Sequence, residues 1–331
     1  MTEMLKSANP LVTFALFAYN QEKFIREAVE GALAQTYSPL EIILSDDCSS
    51  DRTFEIMREM AAAYQGPHSI ILNRNPSNLG VGTHVNIVGD LANGAFIVLA
   101  AGDDVQMPQR TAVMHEAWKD SGYKLVSIYS AVLPIGECGE SITTGYDFNR
   151  TSPFHCNTSA EVVAKDCCAV LGCSHGLARQ LLTDFPKLAP EIFREDNVLP
   201  FRAVLRDGII FINEPLLKYR HHRTNLASFR NSTHHVNMRE RIARLVREYE
   251  DKRATRYQWL HDALSMGSDM PDASILRGLK RLAFMKNCQY HIAKGGLLAS
   301  LIYIPAIFFT TGRLRGPNIL FYRYFGRRLL K

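Results

Sequence analysis

The chain has seven cysteines but lacks the spacing that would organise them. They form no repeated CxxC pairs, and Cys167 and Cys168 are adjacent, so the sequence predicts neither a disulfide framework nor a zinc site. Both glycine-rich phosphate loops, GxGxxG and GxxxxGK(S/T), are also missing. A protein that binds phosphates without such a loop usually neutralises their charge with a metal ion.

The N-terminus lacks a long apolar run. Residues 1–10 lead from Met1 to Pro10 with polar and charged side chains interspersed, so we expect no secretory signal. Together with unpaired cysteines, this predicts a cytoplasmic protein with reduced thiols.

Acidic residues are absent from positions 273–331, which contain eleven lysines and arginines. The rest of the chain holds 27 basic and 33 acidic residues, so a mildly acidic body carries a basic tail. Eighteen uncharged residues, interrupted by Pro305, separate Lys294 from Arg313, slightly fewer than the roughly 20 that span a bilayer. We therefore expect an interfacial or re-entrant anchor and peripheral contact with the inner face of a membrane through residues 277–331. A buried helical hairpin is the alternative. Because the positive charge flanks apolar runs, we expect no nucleic-acid partner.

What the sequence does contain is an alternation of apolar strands with amphipathic helices, which predicts an α/β fold with a mostly parallel sheet flanked by helices. The predicted strands are 11–17, 41–45, 69–73, 96–101, 125–133 and 209–212, and the predicted helices are 22–34, 53–64, 83–91 and 234–264. The basic and apolar C-terminal region is expected to be a helical extension.

Polar side chains follow three of these strands. They are Tyr19-Asn20, Asp46-Asp47 and Asp103-Asp104. In an open α/β sheet, ligands bind outside the carboxyl ends of the strands, so these residues should line one crevice. Two adjacent carboxylates repel each other unless a cation joins them, and oxygen ligands suit Mg²⁺ or Mn²⁺. An Asx turn or a helix cap is the alternative reading of each acidic pair.

Five motifs, in order over residues 11–110, resemble those of family 2 glycosyltransferases. They are Ala18-Tyr19-Asn20, residues 33–37 (LAQTY), residues 41–53 (EIILSDDCSSDRT), Asn78-Leu79-Gly80 with Asn86, and Gly102-Asp103-Asp104 with Met107-Pro108. The resemblance implies a nucleotide-sugar-binding A-type (GT-A) fold with a Rossmann-like nucleotide-binding half. This sequence has Cys48 where the family often has glycine, and Phe17-Ala18 where it often has proline or threonine.

The resemblance also implies roles for the residues of the crevice. Asp47 would accept a hydrogen bond from the N3–H group of a uracil-like base, and Tyr19 would lie against the base or ribose. Asp103 would hold the ribose or sugar, and Asp104 would ligate a divalent metal, Mn²⁺ or Mg²⁺. The remaining donor-binding candidates of this half are Asn20, Asn78 and Gly80.

Further candidates lie in the second half of the chain. By the same resemblance, Asp196 is the catalytic base, and Glu195 orients an arginine or the acceptor. Residues 214–225 resemble a segment that closes over the donor, in which Arg220 offsets phosphate charge and His222 approaches the metal or diphosphate. His175 lies in a small-residue stretch and is either an acceptor or phosphate contact or an ordinary loop residue.

The sequence thus predicts an inverting, metal-dependent glycosyltransferase that moves a sugar from a nucleotide donor, a UDP-sugar, to a glycan or lipid-linked acceptor in surface polysaccharide assembly. The expected domains are a nucleotide-sugar-binding half (8–115), an acceptor and catalytic half (116–232) and a helical extension (233–331). Alternatives are a polyprenyl-phosphate sugar synthase, a nucleotidyltransferase and a non-catalytic nucleotide-sugar-binding module.

Overall fold

A computed structural model describes residues 9–144, 152, 154–222 and 238–311. The chain divides into two compact units, Met1–Ser232 and Thr233–Lys331. In the first unit the strands are β1 (Val12–Ala18), β2 (Leu40–Asp46), β3 (Ser69–Arg74), β4 (Phe96–Ala101), β5 (Val105–Gln106), β6 (Ser127–Ile135), β7 (His175–Ala178) and β8 (Ile209–Arg220). Its helices are α1 (Ile25–Leu33), α2 (Thr53–Ala63), α3 (Val81–Leu91), α4 (Arg110–Asp120), α5 (Ser159–Lys165), α6 (Gln180–Thr183) and α7 (Leu199–Val204).

The described strands form one mixed sheet in the order β3-β2-β1-β4-β7-β6-β8-β5. The first four neighbours are parallel, as the alternation of strands and helices predicts. β7 then runs antiparallel between β4 and β6, and β8 returns parallel to β6. The predicted α/β class is confirmed.

The core of this unit comes from the period of two along the strands. Val12, Phe14 and Leu16 are fully buried on one face of β1, where they pack in a cluster with apolar residues of α1, α2 and α4. The cluster includes Trp118 of α4 and Ile25 of α1. These helices close one face of the sheet and leave the carboxyl ends of β1, β2 and β4 at its edge.

Helix α1 begins at Ile25, three residues later than the pattern predicts. The amides of Gln21 and Glu22 instead donate to Thr53 Oγ1 (2.7 Å) and Asp51 Oδ2 (3.0 Å). These amides would otherwise belong to the first turn of the helix. Because they bind the loop after β2, that loop is tied to the loop after β1.

β8 is much longer than the predicted strand, which ends at Ile212. It continues through Pro215 to Arg220, and its pairing with β6 shifts register between Ser130 and Leu133. A bulge of this kind accommodates a proline, which has no amide to donate to the ladder. The extension matters because it delivers the end of β8 to the polar edge of the sheet.

The second unit contains two long helices, α8 (Met238–Ser265) and α9 (Ala273–Thr311). They pack together; for example, the Arg253 guanidinium lies 4.8 Å from the centre of the Tyr290 ring. α9 runs without a turn from Ala273 to Thr311, and the alternative of a buried helical hairpin stays a prediction. Among the described helices, none combines the length and the apolar character needed to cross a bilayer. Residues 312–331 of the predicted anchor lie outside the described residues.

Candidate active site

The parallel register of β1, β2 and β4 aligns their last residues. Ala18 is paired with Asp46, and Phe17 with Ala101. Tyr19, Asp47 and Asp103 therefore follow neighbouring strands at one edge, as the sequence predicts. Tyr19 is 45% exposed there, which leaves its ring available to a flat ligand.

Asn20 fastens two of the loops at this edge. Its backbone amide donates to Ser49 Oγ (2.8 Å), and its Oδ1 accepts from the Ser50 amide (2.8 Å). Its φ of 52° is in the left-handed region, which asparagine tolerates better than most residues. In the structure, Asn20 therefore joins the loop after β1 to the loop after β2. The predicted contact of Asn20 with the donor stays a prediction.

Asp47 is buried and is already hydrogen-bonded by the chain. Its Oδ1 accepts from Asn75 Nδ2 (2.7 Å) and the Leu79 amide (3.0 Å), and its Oδ2 accepts from the Gly80 amide (3.0 Å). These bonds use most of the roughly four acceptor sites of a carboxylate. Asp47 therefore fixes the loop that carries Asn78 and Gly80, and its direct contact with a base stays a prediction.

Gly80 adopts a φ of 78°, a conformation that glycine reaches without steric cost. Its amide also donates to Asn78 Oδ1 (3.1 Å). A Cβ added at Gly80 would meet nothing within 4 Å. Gly80 thus serves the turn through its backbone, while the space beside it stays open at the edge of the crevice.

Asp104 is almost fully buried, at 1% exposure. Its Oδ1 accepts from the Arg220 amide (2.9 Å). Its Oδ2 has no nitrogen or oxygen partner among the described residues, although the Cys173 thiol adjoins the carboxylate. Burial first, and the neighbouring charge of Asp103 second, raise the pKa of Asp104 well above its usual range. A carboxylate in this position gains from a cation.

Asp103 faces His222, with 2.9 Å between Asp103 Oδ2 and His222 Nε2. The sequence places these residues 119 positions apart, and the long β8 brings them together. Asp103, Asp104 and His222, the three predicted metal ligands, are therefore neighbours.

The same residues do not form a complete metal site on their own. Among the described residues, no three side chains of histidine, cysteine, aspartate or glutamate are arranged to hold a metal ion. Mg²⁺ is commonly held by one or two carboxylates together with substrate phosphates. The unpartnered Asp104 Oδ2 fits that kind of site, in which the donor supplies the remaining ligands.

Arg220 is held by hydrogen bonds to other parts of the chain. Its side chain is 2% exposed. Nε donates to the Asp103 carbonyl (2.9 Å), Nη1 donates to the Glu137 carbonyl (2.9 Å) and Nη2 donates to Glu27 Oε2 (3.0 Å). A guanidinium held in this way braces the turn at Asp103-Asp104, and its contact with a donor phosphate stays a prediction.

Glu195 and Asp196 lie in a 3₁₀ turn, Glu195–Asn197, just before α7. Asp196 Oδ1 accepts from Asn197 Nδ2 (3.0 Å), and the Asp196 carbonyl accepts from the Val170 amide (3.3 Å). A Cβ added at Gly172 would lie 2.9 Å from Glu195 Oε1 and 3.3 Å from Asp196 Oδ2. The turn therefore packs closely on the Gly172 backbone.

The phenol of Tyr219 lies near both the Glu195–Asn197 turn and the pair Asp103-Asp104. Burial raises its pKa, and the negative charges of Asp104, Asp103 and Asp196 raise it further. All three carboxylates therefore act on one side chain near the end of β8. The structure brings the predicted base and the predicted metal ligands into one site.

Residues 13–168 match the family model described as Glycosyl transferase family 2. The resemblance to family 2 glycosyltransferases is therefore confirmed over these residues. The family segment contains Asp47, Asp103 and Asp104, whereas Asp196, Arg220 and His222 lie beyond it.

Two curated relatives share parts of the family 2 segment. An uncharacterized protein of Mycobacterium tuberculosis is 42% identical over 88 residues, which cover 26% of this chain and 25% of that protein. A chondroitin synthase of Escherichia coli is 30% identical over 139 residues, 42% of this chain and 20% of the synthase. The chain thus spans about a quarter or less of the length of these relatives.

Solved structures share the fold over a larger part of the chain. The crystal structure of S. aureus TarS residues 1–349, in complex with UDP-GlcNAc, has a TM-score of 0.56 at 18% identity. The likeness covers 91% of this chain and 79% of that one. The predicted GT-A fold, a mostly parallel sheet with flanking helices, is confirmed.

Sequence reasoning missed two members of the candidate site. Cys173 and Tyr219 adjoin the carboxylates, but the sequence pattern predicts no role for either, although Tyr219 lies in the segment 214–225. His175, a candidate ligand contact, lies fully buried in β7 with Nε2 2.9 Å from Ser127 Oγ, and burial lowers its pKa to about 3. The contact hypothesis for His175 is wrong, because the residue is part of a strand in the core.

Proposed function

We propose that the protein is an inverting glycosyltransferase that moves a sugar from a nucleotide donor to a glycan or lipid-linked acceptor in surface polysaccharide assembly. The observation that carries the proposal is the convergence of two carboxylates on one site around Tyr219. Asp104 Oδ2 is buried with no nitrogen or oxygen partner among the described residues, and Asp196 lies beside Gly172, the neighbour of Cys173. Donor binding and proton removal need two such groups in different surroundings.

Asp196 is the proposed base. It would take the proton of the acceptor hydroxyl while that oxygen attacks the anomeric carbon from the face opposite the nucleotide, which inverts the configuration. Asp196 Oδ1 accepts from Asn197 Nδ2, and Oδ2 lies near the Gly172 backbone. Glu195, its neighbour in the turn, is proposed to orient the acceptor.

Asp104, Asp103 and His222 are the proposed residues for Mn²⁺ or Mg²⁺. A divalent cation held there supplies positive charge to the diphosphate, which helps the nucleoside diphosphate to leave. His222 would hydrogen-bond Asp103 in the absence of donor, since 2.9 Å separates its Nε2 from Asp103 Oδ2. Arg220 keeps both aspartates in position through the bonds described above.

The base of the donor would lie between Tyr19 and the Asn78–Gly80 loop that Asp47 fixes. Uracil is the first choice, because TarS, which shares the fold, was solved with UDP-GlcNAc. Asn20 would complete the floor of this pocket by holding the loop at Ser49-Ser50.

A membrane surface is the proposed location of the acceptor. Arg277, Lys280, Arg281 and Phe284 are exposed along α9, and their spacing of three and four residues puts them on one face. Such a cationic face with an aromatic residue suits anionic headgroups. Sedimentation with phosphatidylglycerol vesicles should decrease for Arg277→Glu/Arg281→Glu, and equal binding by this variant would contradict the surface role.

Because that face favours phosphate-bearing lipids, a polyprenyl-phosphate sugar synthase is the second candidate. A bare polyprenyl phosphate would then be the acceptor, and transfer to a glycan would be absent. Comparing the two acceptors with the same donor distinguishes the candidates.

The deciding experiment is a calorimetric titration of UDP, GDP and dTDP, with and without Mn²⁺. We expect metal-dependent binding of UDP that Asp104→Asn abolishes. Asp196→Asn should keep this binding and lose transfer by about 10²–10⁴-fold, the usual contribution of a general base. Absence of metal-dependent binding for every nucleotide would refute the transferase proposal.

A further inference from the structure

Helix α1 and the residue before it contact the residues that hold the aspartate pair. Glu27 Oε2 lies 3.0 Å from Arg220 Nη2. The Phe24 ring lies under the same guanidinium, 5.1 Å from ring centre to Arg220 Cζ. Neither Phe24 nor Glu27 has a role in the chemistry described so far.

The Phe24 ring also contacts His222. The two ring centres are 4.6 Å apart with an angle of 39° between the planes. One aromatic side chain therefore touches both residues through which β8 holds the aspartates, Arg220 and His222. Cation–aromatic contacts of this kind are directional and are stronger when shielded from water, and Phe24 is buried.

The orientation of both carboxylates depends on this end of β8. The Arg220 amide donates to Asp104 Oδ1, and Asp104 Oδ2 has no nitrogen or oxygen partner within the described ranges. Arg220 Nε binds the Asp103 carbonyl, and His222 binds the Asp103 carboxylate. Movement of β8 away from α1 would turn both aspartates.

We propose that Phe24 and Glu27 are positioning residues for the donor site. They fix Arg220 and His222 against α1 and thereby aim Asp103 and Asp104 at the diphosphate and its cation. The inference rests on the proposed function. The Glu27 carboxylate is 54% exposed, so its ion pair adds little to the stability of the fold. The ion pair instead fixes the position of Arg220, and small displacements at a reacting centre reduce rates strongly.

The test compares Glu27→Ala with Glu30→Ala, which removes the same side chain from an exposed position of the same helix. Glu27→Gln is the conservative variant, because its side-chain oxygen can still accept from Arg220. Phe24→Leu keeps an apolar side chain and removes the aromatic face. Thermal melting of all four variants checks that each is folded.

Two measurements on the full chain decide the outcome. The first is hydrogen exchange at the Arg220 amide, which should become roughly 5–10-fold faster in Glu27→Ala and Phe24→Leu because its bond to Asp104 is opened more often. The second is the dissociation constant of UDP with Mn²⁺, which should rise about 3–10-fold in the same variants, an effect of the size of one displaced polar contact. Glu27→Gln should lie between these variants and the wild type, and Glu30→Ala should match the wild type.

Unchanged amide exchange in Glu27→Ala would overturn the positioning role, as would a loss of affinity that Glu30→Ala shares. If the wild type binds no nucleotide with any metal, the transferase proposal fails, and the exchange rate at Arg220 still decides whether α1 positions the aspartates.

Discussion

Asp104 combines two properties at one residue, since it is buried and its second oxygen has no nitrogen or oxygen partner in the described part of the chain. Its pKa is raised well above that of an unfolded chain, mainly by burial. The folded protein therefore holds a proton there more tightly than the unfolded one. As pH rises above about 4, the unfolded carboxylate ionises more easily, and this difference destabilises the folded state without metal.

We predict that Asp104→Asn increases the free energy of unfolding of the metal-free protein at pH 7, by about 1–3 kcal/mol, because it removes a buried charge and keeps the shape. Urea denaturation in the presence of a chelator measures this. The gain should shrink as pH falls and vanish below about 4, where Asp104 is protonated in both states. A variant that is less stable than the wild type at pH 7 would contradict the explanation.

The residue scale also shows where the sequence is informative. Asp103 and Asp104 could be predicted as site residues because they end a buried strand at the ligand-binding edge. The engagement of Arg220 and Asp47 could not be predicted, because both depend on partners from distant parts of the chain, Glu27 and Glu137 for Arg220 and Asn75 to Gly80 for Asp47.

At the scale of elements, the 3₁₀ turn at Glu195–Asn197 is placed by its contact with the backbone at Gly172. A side chain at that position has no room, since its Cβ would lie 2.9 Å from Glu195 Oε1 and 3.2 Å from Asp196 Cβ. This close contact with Gly172 fixes the position of the proposed base, Asp196, relative to Asp103 and Asp104.

Gly172→Ala should therefore lower kcat, by roughly 10-fold or more, because a shift of the turn by a few tenths of an ångström misplaces the proposed base. Affinity for UDP with Mn²⁺ should stay close to the wild-type value, since Asp104 and His222 are not displaced. Gly89→Ala in α3 is the control, because the atoms nearest to its added Cβ belong to the flexible Leu182 side chain, with Cδ1 at 3.2 Å. A loss of nucleotide affinity in Gly172→Ala would show that the two halves of the site are not independent.

The sequence did not predict the strands β7 and β5, and their length and composition explain why. β7 has the pattern of a small-residue loop, because His175 and Gly176 interrupt its apolar residues, and only its pairing with β4 and β6 makes it a strand. β5 has two residues, too few to show a period. The first four strands were predictable because each is a continuous apolar run followed by polar residues.

At the scale of the whole molecule, two buried histidines should make stability depend on pH. His84 lies 2.6 Å from Ser45 Oγ, and burial lowers its pKa to about 4. His175 has a pKa of about 3 for the same reason. Both stay neutral in the folded protein, whereas histidine in an unfolded chain binds a proton near pH 6.5.

The unfolded state therefore gains protons first as pH falls from about 6.5 to 4, and the free energy of unfolding should decrease in this window, by roughly 1–2 kcal/mol per histidine at pH 5. Asp104 acts in the opposite direction, so the measurement belongs in the Asp104→Asn background. There, His84→Gln and His175→Gln should each reduce the slope of stability against pH. Slopes equal to that of the parent would exclude both histidines as its cause.

The pairing of Asp104 with Arg220 spans 116 residues, and that of Asp103 with His222 spans 119. During synthesis, β1 to β4 leave the ribosome long before the end of β8 exists. At about 5–20 residues per second, the delay is roughly 6–23 s. The parallel strands can associate in that time, but Asp103 and Asp104 still lack their partners Arg220 and His222. A polypeptide interrupted before position 220 would thus possess the nucleotide-side scaffold and lack a finished site, so that competence for donor chemistry is acquired late in translation.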